Sequence, residues 1–499
     1  MSISSISSTP NALVQSLIDM RAQFDDLQRQ LSTGQKSSNY AGLGSGRGLS
    51  VSLNAQLSAI AAFDNGIDMV NTRVQLAQAA LGGMVGIGNT IKAQVVQGGT
   101  TGGNAATAQI NAQSSLQQLL GLLNSQAGGR YVFSGSATDQ PSVETYEHII
   151  NGEGARAGLK QLIDERAQAD LGANGLGRLT VSAPTSTSVS VAEDAVSPFG
   201  FRLASVSSNL TNATVSGPSG SPASLSVDLS GGMPNEGDTL TLRVDLPDGT
   251  SENLTLTATT QSPPGANQFT IGATAAATAS NLQGALTTAL GNLAGSSLKA
   301  ASATLASNDF FSADLNNPPQ RVAGPPFDTA TAMTAGTTSN TVIWYTGEAG
   351  TGAARATATT RIDPSLVVAY GTRANEAGIR TLVQNVATLA AVTMSSTDPN
   401  AANFSSALGQ RIGAGLSGAP GQQTVQDIQA ELAGAQSSMA AVKDRHQQTS
   451  ATLTGMLQNI TGVSNEQVGA SLLTLQTRMQ ASMQTTAMLY QISLVNYLR

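Results

Sequence analysis

LVQSLIDMRAQFDDLQRQL, residues 13–31, sets Leu13, Leu17, Met20, Phe24, Leu27 and Leu31 at alternating steps of four and three. An apolar stripe repeating near 3.5 residues is a helical seam that another helix must cover. A second run follows at Leu53, Leu57, Ile60, Phe63, Ile67, Val70, Val74, Ala77 and Leu81. Near the other end, Val425, Ile428, Leu432, Ala435, Met439, Val442, His446, Thr449, Leu453, Met456 and Ile460 keep the rhythm. The last segment continues with Val468, Leu472, Leu475, Met479, Met483, Ala487, Tyr490, Leu494 and Leu498. Helices at both termini partner each other most simply, or the same helices of neighbouring subunits.

Proline marks where the helices stop. Only Pro10 precedes Pro141 and none follows Pro420, among 17 in the chain. A proline inside a helix costs about 3 kcal/mol, so proline-poor ends around a proline-rich centre imply helix, insert, helix. Ser37 to Ser50 (SSNYAGLGSGRGLS) interrupts the N-terminal arm with four glycines. With no strand before it and no Gly-Lys-Ser/Thr closing it, it is a connector between helices and not a phosphate loop.

From about Ser136 to Tyr370 the pattern changes. Leu240, Leu242, Val244 and Leu246 alternate with polar residues, Pro247-Asp248-Gly249-Thr250 follows, and Leu254 and Leu256 resume the alternation. That is a hairpin, its turn set by proline and glycine. Gln268 to Ile271 and Thr341 to Tyr345 read as further strands, Leu282 to Leu293 as a helix, and Ala155 to Gln168 as a short amphipathic helix. Gly217 to Ala223 and Pro318 to Pro326 read as loops. The expected fold class is α+β: long antiparallel terminal helices forming a coiled-coil or helical-bundle shaft, with a central β-rich α+β insert.

Charged residues make up only 11% and aromatics 4%, against about 25% charged in an average soluble protein. Small polar residues fill the gap and suit close subunit packing or a disordered, low-complexity surface, and the sustained heptads favour the assembly. The net charge of -7 gives no support to a nucleic-acid partner. There are no cysteines, which removes disulfides, thiolate metal sites and cysteine nucleophiles. Met1 to Asn11 lacks the basic and apolar regions of a cleavable signal, and no stretch reaches the length of a membrane helix. The two histidines, His148 and His446, fall in different elements, and His446 on the seam reads as a polar residue that sets register. Lys92 and Lys443 read as solvated helix residues. No metalloprotease, EF-hand, nucleophile-elbow or kinase pattern occurs, so no catalytic residue, cofactor or metal is expected and the chain reads as a non-enzyme. Asn209-Leu210-Thr211 and Asn253-Leu254-Thr255 match the glycosylation tripeptide, a short pattern with a high chance rate.

Several segments resemble one family. Leu27-Gln28-Arg29-Gln30-Leu31-Ser32-Thr33-Gly34 is similar to a segment of the bacterial flagellin family, and Asp64-Asn65-Gly66-Ile67-Asp68-Met69-Val70-Asn71 resembles its Asn-Asp-Gly-Ile region. Gly129-Arg130-Tyr131-Val132-Phe133-Ser134-Gly135 and Leu489 to Leu498 resemble the hook-filament junction branch, that of hook-associated protein 3, and Tyr370 to Glu376 extends the likeness. The large insert is more familiar in filament subunits, as in flagellins of the rhizobial, alphaproteobacterial kind.

The resemblance implies an extracellular structural subunit of the flagellum, exported unfolded by the flagellar type III route and polymerised through its terminal helices in support of motility. It implies domains at 1–45 (terminal helix of the inner tube), 46–135 (shaft helices), 136–370 (surface-exposed insert), 371–463 (shaft helices) and 464–499 (terminal helix). The expected subunit interface comprises Leu17, Met20, Phe24, Leu27, Leu31, Leu475, Met479, Met483, Tyr490 and Leu494, the bland alternative being a bundle core within one chain. Expected partners are further copies or other flagellin-family subunits, hook-associated proteins and an export chaperone, with no nucleic acid and no membrane insertion. Filament flagellin is the runner-up to the junction protein, and a secreted coiled-coil adhesin is more distant.

Overall fold

A computed structural model describes residues 8–98, 105–395 and 397–497. The helices are α1 (Ser8–Thr33), α2 (Arg47–Gly98), α3 (Ala105–Leu123), α4 (Tyr146–Asn151), α5 (Leu159–Leu171), α6 (Ala275–Leu293), α7 (Lys299–Ser312), α8 (Ala377–Ala391), α9 (Ala401–Ser417), α10 (Val425–Thr461) and α11 (Asn465–Tyr497). The strands are β1 (Gln126–Ala127), β2 (Arg130–Tyr131), β3 (Leu179–Ser182), β4 (Ser188–Glu193), β5 (Arg202–Ser208), β6 (Thr214–Ser219), β7 (Ser224–Asp228), β8 (Thr239–Asp245), β9 (Ser251–Thr259), β10 (Gln268–Thr270), β11 (Arg321–Val322), β12 (Met333–Thr334), β13 (Thr359–Asp363) and β14 (Leu366–Ala369). Long helices at the ends and a β-rich middle make the chain α+β, as expected.

The chain forms two compact units. The first comprises Met1–Val70, Thr360–Val368 and Ser437–Arg499. Within it α1 packs against α11. Lys36 donates its backbone N–H to the Thr461 carbonyl at 2.7 Å, and Val463 donates to Gly34 at 3.1 Å. The end of α1 thus meets the start of α11, and the two helices run antiparallel. Leu53, Ile67 and Val70 of α2 and Met439, Val442, His446 and Leu453 of α10 are buried, together with Ile362 and Val368 of the β13–β14 pair. The Ser37 to Ser50 connector is a 3-10 turn over Tyr40–Gly46, and α2 begins at Arg47.

Two seams drift from their expected positions. On α10 the buried side runs Val442, His446, Ser450, Leu453, Leu457, while Thr449 and Met456 point out. On α11 it runs Val468, Leu472, Leu475, Met479, Ser482, Thr486, while Met483 and Ala487 point out. The helix period, and not the identity of the residue, selects the face: a polar side chain three residues after Met479 turns inward, and the methionine four residues after it turns outward.

The second unit comprises Asn71–Thr359 and Ala369–Gln436. It holds two four-stranded sheets, of order β10-β9-β8-β5 and β3-β4-β7-β6. One core joins them. Val189, Val191, Leu225 and Val227 of one sheet and Leu240, Leu242, Val244, Leu254 and Leu256 of the other are buried with Leu282, Leu286 and Leu290 of α6. The expected hairpin is β8–β9, antiparallel with Leu242 opposite Leu254. Gly249 sits at φ +81°, a conformation that a glycine takes without strain, and Asp248 accepts from the Thr250 N–H at 3.1 Å. Gln268 to Thr270 is a strand as expected, paired parallel to β9.

Three expectations are corrected here. Thr341 to Tyr345 is no strand; Thr341 and Tyr345 each form a single bridge, with Ala157 and Val143, and Trp344 is fully buried with its indole donating to the Phe311 carbonyl at 2.9 Å. The helix expected from Ala155 starts at Leu159, because Gly158 passes so close to the chain at Ile150–Gly152 that the backbone is extended there. Gly217 to Ala223 is largely part of β6 and its turn into β7. The strands β3 to β7 are rich in Ser and Thr, yet β4 and β7 alternate polar and apolar residues, with Val189, Val191, Leu225 and Val227 turned inward, a strand signal that the expectations above did not include.

Candidate functional site: apolar faces of the long helices

The residues expected at an interface divide by exposure. On α1, Leu17, Met20, Phe24 and Leu27 are half-buried, and Leu31, in the last turn, is 41% exposed. On α11, Leu475 is buried and Met479 half-buried, whereas Met483 is 53% exposed. Tyr490 and Leu494 belong to α11 by backbone, and their side chains lie outside the described residues. The residues facing inward on these two helices lie on the face where α1 and α11 meet. Four further large apolar side chains on these helices, which periodicity did not single out, are exposed: Val14 and Ile18 on α1, and Leu473 and Met488 on α11. Most of the exposed large apolar side chains among the described residues belong to this first unit, the smaller of the two. They include Leu49 and Val51 at the start of α2, Met69, Met456, and Leu366 and Val367 on β14.

Polar side chains pin the helices in register. His446 is 5% exposed, with Nδ1 at 2.7 Å from Asp64 Oδ1 and Nε2 at 3.8 Å from Asp363 Oδ2, and its ring stands 6.1 Å from that of Phe63. Arg445 holds the same Asp363 carboxylate at 2.7 Å. The Asp363 carboxyl lies below its ordinary value because the Ser365 backbone N–H and the Arg445 guanidinium both donate to it. Lys443 pairs with Asp68 rather than standing free in solvent, and that hydrogen bond raises its ammonium above the ordinary value. His446 is thus the buried polar residue expected on the seam, and its two carboxylate neighbours were not foreseen. The Asp363-Pro364-Ser365 turn between apolar residues is the signal that could have disclosed β13 and β14.

In the second unit the polar clusters tie elements together. Arg411 of α9 reaches the Asp248 carboxylate at 2.7 Å and the Thr250 hydroxyl at 2.9 Å, anchoring the β8–β9 turn. His148 lies 2.9 Å from Glu144 and 3.8 Å from Glu153. Asn209, the first of the two tripeptide asparagines, accepts a hydrogen bond from the Thr239 hydroxyl at 3.1 Å. Lys92 is half-buried in a hollow of about 250 Å³ between α2, α8, α9 and the start of α10. Among the described residues no group of three or more His, Asp or Glu could hold a metal ion, and no helix is long and apolar enough to cross a membrane.

Residues 6–138 match the family model of the bacterial flagellin N-terminal helical region. The match supports the bacterial flagellin family. It spans α1, α2 and α3 and runs through β1 and β2. No curated protein matches the chain. Flagellins are structural proteins that self-polymerise into the flagellum, outside the cell, and are not a family of enzymes.

Proposed function

We propose that this chain is an axial subunit of the flagellum that polymerises through its terminal helices at the hook-filament junction, supporting motility. The observation that carries the polymerisation reading is the concentration of exposed apolar side chains in the first unit. A soluble monomer rarely keeps so much apolar surface in water, and covering it with the same surface of another copy removes it. On this reading Leu17, Met20, Phe24, Leu27, Leu475 and Met479 order the α1–α11 pair, while Leu31, Met483, Tyr490 and Leu494 extend that surface toward the neighbouring subunit. Residues 1–45 and 464–499 form the inner tube, 46–135 and 371–463 the coiled-coil shaft, and 136–370 the exposed insert. Export is unfolded and by the type III route, with a chaperone and other hook-associated proteins as partners.

The junction subtype rests on the likeness of Gly129–Gly135 and Leu489–Leu498 to that branch. The size of the insert favours the main filament as the second reading. Immunogold microscopy of intact flagella with an antibody against residues 200–350 separates them. A single focus at the hook boundary is expected; label along the whole filament makes this a filament flagellin. Label elsewhere on the cell and none on flagella overturns both and favours an adhesin. Removing residues 467–499 is expected to abolish polymerisation while leaving the insert folded, as read by fluorescence of the single tryptophan, Trp344.

A further inference from the structure

With no cysteine in the chain, methionine sulfur is its readiest target for oxidation. The methionines span the range of exposure, with Met20, Met333, Met394 and Met479 half-buried. Met84 and Met439 are sealed in helical seams at 0% and 1% exposure. Met69, Met456, Met483 and Met488, all on the long helices of the first unit, are exposed at 77%, 50%, 53% and 61%. Outside that unit, among the described methionines, only Met233 is comparably open, at 41%.

We propose that Met69, Met456, Met483 and Met488 are sites of reversible sulfoxidation by peroxide, and that their oxidation switches off self-association. The inference rests on the polymerisation reading given above. In the step, hydrogen peroxide transfers one oxygen atom to the thioether sulfur: the O–O bond breaks, an S–O bond forms, sulfur is oxidised to the sulfoxide and peroxide is reduced to water. The product exchanges a soft apolar side chain for a polar one with a strong hydrogen-bond acceptor. On a solvent-facing helix surface the acceptor is met by water and the subunit's fold is undisturbed. Covered by the apolar surface of a second copy, it has no donor, and association weakens. The sealed Met84 and Met439 keep the cores intact because peroxide does not reach them.

The test uses the full chain, treated with a graded dose of hydrogen peroxide. Peptide mass mapping is expected to find sulfoxide at the four exposed methionines before Met84 and Met439, with the helical circular-dichroism signal unchanged. In seeded growth onto its own polymer, the critical concentration is expected to rise about tenfold and to recover after methionine sulfoxide reductase treatment. A variant carrying Met69→Leu, Met456→Leu, Met483→Leu and Met488→Leu is expected to show, against its own untreated critical concentration, no rise with peroxide. Oxidised parent that assembles like untreated parent, or a leucine variant that is equally inhibited, overturns the switch alone. Untreated chain that does not self-associate overturns the polymerisation reading and the switch with it. Sulfoxide that appears first at the sealed methionines overturns the site assignment whatever the assembly result.

Discussion

His446 shows what a single side chain contributes on an apolar seam. Its ring fills a buried position and meets Asp64 at 2.7 Å, so truncation removes packing and a hydrogen bond at once. His446→Ala is expected to destabilise the first unit by about 1–3 kcal/mol, read from urea unfolding followed by circular dichroism. His446→Asn, which can still donate to Asp64, is expected to recover part of the loss; equal losses would show that packing alone matters. A second residue-scale prediction concerns acid. Burial pushes the Asp248 carboxyl up, but hydrogen bonds from Thr250 and Arg411 and the Arg411 charge outweigh it, leaving it below its ordinary value of 3.8. A depressed carboxylate adds stability that is fully present above the unfolded value and is lost as pH falls through the folded one. The full chain is therefore expected to lose stability below about pH 4, and Asp248→Asn to flatten that acid limb in a Trp344 fluorescence titration. An unchanged limb would remove Asp248 as a source.

The helices and strands obey their periods more faithfully than their residue types. Leu475 is buried on the inward face of α11 and Met483 is 53% exposed, although both are large and apolar. Leu475→Ala is expected to cost the α1–α11 pair about 2–5 kcal/mol. Met483→Ala is expected to change subunit stability by less than about 0.5 kcal/mol while raising the critical concentration for assembly. Thermal melts and seeded growth of the two variants check the contrast, and equal melting shifts would place Met483 inside the pair. On α10 the inward positions step by four twice in succession, Val442 to His446 to half-buried Ser450, a break in the three-four alternation at the histidine. A glycine governs where α8 meets the start of α10. A Cβ at Gly378 would stand 2.5 Å from the Thr424 carbonyl carbon, and backbone cannot move aside as a flexible side chain can. Gly378→Ala is expected to destabilise the second unit by about 1–3 kcal/mol, measured by Trp344 fluorescence in urea.

For the molecule as a whole, stability and surface character belong to different parts of the chain. The second unit has a core shared by two sheets and a helix, whereas the first consists of long helices and a short hairpin with much apolar surface left in water. Denaturation of the dilute chain is accordingly expected to show the terminal helices lost before the Trp344 signal changes. A single coincident transition by circular dichroism and fluorescence would refute that order.

The heptad stripes, the proline boundaries and the Pro-Asp-Gly-Thr turn were enough to determine long terminal helices and a β-rich centre, because period and turn chemistry are local properties of the chain. The helices expected at Leu13 to Leu31 and Val425 to Ile460, and the β8–β9 hairpin, follow from residues that are neighbours in sequence. Only the tertiary structure decided the rest. The strands β3, β4, β6 and β7 are short and rich in Ser and Thr, and which of them are neighbours was decided by pairing across the sheet and by the core shared with α6, while β5 joined the other sheet against β8. Trp344 lies in no strand because the chain around it is held by bridges to distant residues. His446 meets Asp64 and Asp363 across sequence separations that no local pattern encodes, and whether an apolar residue such as Met483 points inward or outward was settled by the helical angle at which it stands relative to its partner helix.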